Sequence, residues 1–324
     1  MERVRSFEAP RGQARTKDEY PLISDAWLRR VIGILWLIDG LLQLQPAMFT
    51  MNMVNGVMAP AAEGQPAPIA ASLSWIIAFT THNLTLVNSG IALIQLAIGL
   101  LLVSGRWVKP AAIASVIWAV VVWYAGEGFS MLLTGQASAL TGAPGSVLFY
   151  ALFAFWFIRE NKSSVIPRQW FRLALAAFWC FAALLQLQPS WWASKQISEE
   201  ISSLYSPGTL SGIVVDPSLH WLAGMTSGSE FPLNFALVVV FLIVGIGLFA
   251  AKPHQLRPWL VVSIVLSLAI WWFNQALGMF LTGMATDPNS GLLLVLLALA
   301  CWNSSPSLVE SRTRRLDPAQ APAH

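Results

Sequence analysis

Leu41-Leu42-Gln43-Leu44-Gln45-Pro46 returns unchanged as Leu184-Leu185-Gln186-Leu187-Gln188-Pro189. The match extends on both sides of this hexapeptide. At the same spacing of 143, Arg29 and Trp36 pair with Arg172 and Trp179. Further along, Ser72-Leu73 with Trp75 match Ser218-Leu219 with Trp221. At a spacing of 148, Ile98-Gly99-Leu100 matches Ile246-Gly247-Leu248, and Lys109-Pro110 matches Arg257-Pro258. Met131 with Leu133-Thr134-Gly135 likewise matches Met279 with Leu281-Thr282-Gly283. The chain therefore reads as one unit used twice, with small insertions.

Composition assigns the unit to a membrane. The 324 residues are 56% hydrophobic and 11% charged, with mean hydropathy +0.61, whereas soluble chains carry about a quarter charged residues. Sixteen Trp fit the same class, because indole rings favour the boundary between hydrocarbon and headgroups. Trp27, Trp107, Trp191, Trp192, Trp259 and Trp302 lie near the ends of apolar runs. A span takes about 20 mostly apolar residues. Eight segments qualify: Trp27–Pro46, Leu84–Val103, Val108–Tyr124, Val147–Ile158, Phe171–Gln188, Phe231–Ala250, Pro258–Trp272 and Gly291–Trp302. With the N-terminus in the cytoplasm, every Lys and Arg except Lys195 falls on the cytoplasmic side, as the positive-inside rule requires.

The predicted architecture is an all-α, polytopic membrane helix bundle of eight transmembrane helices in two parallel four-helix repeats, 27–158 and 171–302. A cytoplasmic linker, 159–170, joins them, and cytoplasmic tails, 1–26 and 303–324, flank them. The first 26 residues hold no apolar h-region, so no cleaved signal peptide is expected, and that tail is expected to be disordered. The expected location is the plasma (inner) membrane of a bacterium. Ile197, Ile201 and Leu204 recur at helical spacing in the outer loop 190–230, which predicts an interfacial helix. Met48–Met58 is its expected counterpart in the first copy. Gly126-Glu127-Gly128-Phe129 and Asn274-Gln275-Ala276-Leu277 open a second matched outer turn.

Asp39 is the only acid within an expected span. Nine residues beyond Arg30, it lies about 13 Å along a helix axis, near mid-membrane. A carboxylate there costs roughly 2.5–3.5 kcal/mol on the insertion scale and must face protein or water. Gln43, one turn on, shares its face. Two readings are open for Asp39, a packing residue bonded to a neighbouring helix and a functional acid. The two copies offer a comparison. Asp39 pairs with Ala182, Asn88 with Ala236, Gln95 with Ile243 and Glu127 with Gln275; each time the first copy holds the more polar group. Asp39, Gln43, Asn88, Gln95 and Glu127 thus form a candidate polar cavity in the first half. Asn234 and Asn274, standing where the first copy has Leu86 and Gly126, run against that trend. Met48, Met51 and Met53 are the weak candidates for a Cu(I) site, the commoner role of such residues being apolar packing.

Trp27-Leu28-Arg29-Arg30, then Gly33, Trp36, Asp39-Gly40 and Pro46, then Gly99-Leu100-Leu101 with Gly105-Arg106, resembles the DoxX-type pattern. In that pattern a first span opens at a basic pair, and a Gly-Leu-Leu span ends at a Gly-x-Arg-like turn. Arg172, Trp179, Pro189 and Gly247-Leu248 carry the likeness in the second copy. It implies two fused four-helix bundles and, as in some members, quinone-linked sulfur oxidation or a membrane redox complex. The long outer loops and Gly126-Glu127-Gly128 fall outside the pattern. Three functional readings follow: a subunit that binds quinone as cofactor beside a membrane redox partner, a proton-coupled small-solute transporter or channel, and a scaffold subunit. The lipid bilayer is the expected surrounding in each, and nucleic acid in none.

Overall fold

The structure, a computed structural model, describes residues 20–159 and 169–304. Most of the first tail and nearly all of the linker and the second tail lie outside these residues. The regular structure of the described residues is helical apart from one short strand pair, with turns and loops between the helices. The main helices are α1 (Asp25–Leu42), α2 (Ala67–His82), α3 (Leu84–Ser104), α4 (Val108–Ala125), α5 (Ser146–Ile158) and α6 (Gln169–Leu185). They continue as α7 (Gln196–Ser203), α8 (Asp216–Thr226), α9 (Glu230–Ala250), α10 (Leu256–Phe273) and α11 (Asn289–Ala300). Strands β1 (Tyr20–Pro21) and β2 (Asn303–Ser304) pair antiparallel. The start of α1 and the end of α11 therefore come together.

Four stretches are long and apolar enough to cross a membrane: α3, α4, α9 and the run Pro253–Phe273 that contains α10. Only 22–33% of each is buried. Leu86, Leu93, Leu100, Ile117, Phe231 and Val265 stand out from them, 59–72% exposed. Apolar surface on this scale is stable against lipid and not against water. The chain has the helices of an integral membrane protein.

Local chemistry sets α1 and its neighbour. Ser24 caps α1 by accepting from the Trp27 N–H at 3.2 Å, which satisfies one of the helix's free donors. Gly33 and Gly99 then let α1 and α3 close to backbone contact. A Cβ on Gly33 would sit 2.8 Å from the Val103 nitrogen, and one on Gly99 would sit 2.7 Å from the Gly33 oxygen. Small residues at such a seam allow the dispersion contacts that hold helices together in lipid. In the pair α6 and α9, Gly245 meets Ala176 and Cys180 in the same manner. Behind these seams a shared core holds Trp36, Tyr150 and Phe153 from one half with Phe171, Trp179 and Leu293 from the other. Trp191 is not a boundary residue: it is 1% exposed, and its ring N–H donates to the Ala137 carbonyl at 3.1 Å.

The hexapeptide ends a helix and bridges the halves. Gln45 Nε2 donates to Leu42 O at 2.8 Å and to Ala285 O at 2.9 Å. Gln188 Nε2 does the same with Leu185 O and Ala137 O, both at 2.8 Å. Each Gln adds a side-chain donor to a carbonyl at its own helix end that also accepts its backbone N–H, and holds a loop of the other half. Gln188→Leu is expected to cost about 1–3 kcal/mol, since it removes two hydrogen bonds, while Leu185 O keeps the Gln188 N–H and Ala137 O keeps the Trp191 ring N–H; the thermal midpoint of the purified protein reads it, and Gln45→Leu adds to it.

Candidate functional site

Asp39 projects from α1 into the interior, 1% exposed, and Tyr150 of α5 is fully buried beside it. The Tyr150 hydroxyl approaches Asp39 closely enough to interact, yet neither Asp39 Oδ1 nor Tyr150 Oη closes a hydrogen bond. The Tyr150 ring lies 4.5 Å from that of Trp36, and Trp36 Nε1 donates to Ser115 Oγ at 2.9 Å. The pair is thus held from behind by α4.

Two further acids stand beyond the helices at the end remote from the β1–β2 pair, both partly exposed. Glu127 follows α4; its Oε2 accepts from Ser130 Oγ at 2.8 Å and its Oε1 from Ser146 Oγ at 3.1 Å. Gly145, at φ 124°, makes room for it, because a Cβ there would lie 2.3 Å from Glu127 Oε2. Asp287 comes from the second half, just before α11. Its Oδ1 accepts from the Asn289 N–H at 2.7 Å and its Oδ2 from Thr286 Oγ1 at 3.2 Å. Ser146 reaches both Glu127 and Asp287, and the Asp287 charge is felt at Asp39, Tyr150 and Glu127. The three acids and the Tyr therefore run from partly exposed positions at one end of the helices to a buried carboxyl.

Burial first, and then the Asp287 charge, pushes Glu127 up to about 7. Burial raises Asp287 as well. An unfolded Glu titrates at about 4.3. Between these values the folded chain keeps a proton that the unfolded chain has released, so stability falls as pH rises through the window. Glu127→Gln copies Gln275, which donates from Nε2 to Ser290 Oγ at 2.9 Å and accepts from the Gly291 N–H at 3.0 Å. This variant is expected to fold and to lose less of its thermal midpoint than the parent between about pH 5 and pH 8.

Of the residues picked out in the sequence, Gln43 is 5% exposed on the α1 face that carries Asp39, while Asn88 and Gln95 lie buried on α3, 0% and 5% exposed. Asn88 Nδ2 donates to Gln43 O at 2.7 Å. Asn234 Nδ2 donates to Gln186 O at 2.9 Å in the same arrangement. Asn88 therefore answers to Asn234 and not to Ala236, and this register sets Gln95 against Phe241 in place of Ile243. The Gly99 and Gly245 contacts agree with it. The two-residue insertion falls after these helices, where a sequence match at Ile-Gly-Leu hides it.

Tyr150 and Asp287 were not among the sequence candidates. Tyr150 answers to Leu294, a contrast of the kind that marked Asp39. Asp287, just before Pro288, answers to Ala143, just before Pro144, and reverses that contrast, because this loop reaches across to the opposite half. The corresponding place in the second half holds Ala182, Leu294 and Ala143, all 1% exposed or less, with the fully bonded Gln275. Met48 and Met53 sit in an apolar cluster with Ile76 and Leu84, whereas Met51 is 45% exposed and apart from them. Among the described residues, no group of three or more His, Cys, Asp or Glu is placed to hold a metal ion.

Comparison with models of protein families, with curated proteins and with solved structures finds no match. The DoxX-type resemblance rests on the residues quoted for it.

Proposed function

We propose that this chain is a proton-coupled transporter or channel for a small solute, with its proton-exchanging site at Asp39 in the first half. The observation that carries this reading is the line of acids itself. Asp39, buried beside Tyr150, connects through the field of Asp287 and Glu127 to partly exposed positions, while the matching place in the other half is apolar. A buried carboxyl with an oxygen that no donor meets is costly, and it is retained here at one of two otherwise similar places.

The surrounding architecture in this reading is eight spans in two parallel units, with both termini in the cytoplasm of a bacterium. Recurring bonds support it. Trp36 to Ser115 recurs as Trp179 to Ser263, Trp123 to Pro144 O as Trp271 to Pro288 O, and Ser72 with Tyr124 as Ser218 with Trp272. Phe129, Ser130 and Met131 take left-handed backbone, and so do Leu277, Gly278 and Met279. The pairing of β1 with β2 favours an even number of crossings. The DoxX-type relationship belongs to the same proposal.

The quinone-binding reading has one observation in its favour, the free hydroxyl of Tyr150. A quinone presents carbonyl oxygens and needs donors; the site offers mainly acceptors. The two readings separate in proteoliposomes. Under an imposed pH gradient, with an internal pH dye, the transport reading expects proton entry that depends on an added small amine, amide or alkali cation. Stoichiometric quinone in the purified protein, with no solute-dependent proton entry, would overturn it.

A further inference from the structure

Four oxygens on facing sides of α1 and α3 have no hydrogen-bond donor: Asp39 Oδ1, Gln43 Oε1, Asn88 Oδ1 and Gln95 Oε1. All four residues are 5% exposed or less. Gly40 packs on Leu96 of the antiparallel α3, which sets Leu41 level with Gln95 and Asp39 two residues, about 3 Å, from that level, and Asn88 donates to Gln43 O one step further on. That bond also uses the Asn88 nitrogen, so its oxygen is the free end. We infer that these oxygens form a binding site for one dehydrated alkali cation, with Na⁺ as the preferred occupant, at the proton-exchanging carboxyl proposed above.

Chemistry narrows the ligand. Carboxylate and amide oxygens suit hard cations, and in transporters oxygen ligands near the bilayer midplane coordinate Na⁺ or a proton. A group that only donates hydrogen bonds in one or two directions leaves some of the four unmet, whereas a cation attracts all of them. Charge sets the valence. Asp39 supplies one negative charge to the set, so a monovalent ion leaves it neutral, and an excess charge in a low-dielectric interior is expensive. The other titratable groups facing Asp39 supply no oxygen to the set, although the Asp287 charge reaches Asp39 and adds to the attraction for a cation. Tyr150 carries a hydroxyl; the Asp287 carboxylate is held by Asn289 and Thr286, and that of Glu127 by Ser130 and Ser146.

The second half lacks the set. Ala182 and Phe241 stand in place of Asp39 and Gln95, and Gln186 Oε1 accepts from Ser138 Oγ at 2.8 Å. One cation per chain follows.

The inference rests on Asp39 being the working acid, and its test is independent of transport. The thermal midpoint of the purified full-length protein is measured at constant ionic strength in NaCl, KCl and choline chloride, with CaCl₂ and MgCl₂ as further probes. Na⁺ is expected to raise the midpoint saturably, K⁺ less, and choline not at all. Asp39→Asn and Gln95→Leu are each expected to remove the response. Equal midpoints in the three monovalent salts, meaning that water meets the four oxygens, would overturn the inference, as would a response to divalent ions alone or one that survives in both variants. Solute-dependent proton entry that is lost in Asp39→Asn, with no cation response in the parent, overturns the cation site and leaves the proton reading standing.

Discussion

Asp39→Asn is expected to reduce solute-dependent proton entry by about 10²-fold or more, the scale on which a positioned proton-transfer group contributes, while the protein remains abundant and folded. Asn keeps the volume of the buried side chain and an oxygen toward Tyr150, but it carries no exchangeable acid. It also removes the cost of a carboxylate in the membrane interior, so the thermal midpoint in choline chloride, where no small cation can bind, should hold or rise. A purely structural Asp39 would behave in the opposite way, with transport intact and stability changed. Placing an acid at the matching position of the second half, as Ala182→Asp in the Asp39→Asn background, should not restore the flux. Leu294 and Ala143 stand where the first half has Tyr150 and Asp287, and neither can carry a proton.

Trp36→Ala is expected to destabilise the folded protein by about 3–5 kcal/mol, the range for removing a large aromatic from a packed core. Trp36 is fully buried, lies against Tyr150 and donates to Ser115. The loss therefore combines a cavity, an unpaired hydroxyl and a Tyr free to turn away from Asp39. Trp36→Phe retains most of the volume and loses the hydrogen bond, at about 0.5–1.5 kcal/mol. Trp179→Ala should cost a similar amount without affecting proton entry, since the Trp179 ring packs on Phe241, 5.2 Å away, and donates to Ser263. Thermal midpoints and flux measured on the same preparations separate the two halves: both Trp variants lose stability, and only that of the first half changes the site.

The helices and the apolar outer faces of the chain were legible in its sequence because hydrophobic length alone specifies them. Each of the eight expected segments coincides with a helix, though only α3, α4, α9 and the run containing α10 are long and apolar enough to span a membrane by themselves. The bonds of the hexapeptide were not legible. Identical residues say that two places are alike, and nothing in Gln45 or Gln188 tells which carbonyl lies opposite. That crossing of loops is also why Asp287 was missed: a comparison made copy against copy assigns each polar residue to its own half. The register error at Asn88 has a related cause. In spans of Leu, Ile, Val and Gly a two-residue slip leaves many residues matched, and only the buried amide that must find a carbonyl fixes the alignment.

A lipophilic carbodiimide bears most directly on the central claim, since it couples to membrane-buried carboxyls that exchange protons. Proteoliposomes are treated in steps, proton entry is recorded at each step, and the modified residue is located by peptide mass spectrometry. The account predicts that modification of Asp39 and loss of proton entry advance together, and that Asp39→Asn protein is neither modified at that position nor further inhibited. Proton entry that continues with Asp39 fully modified, or that ceases while Asp39 stays unmodified, would contradict it.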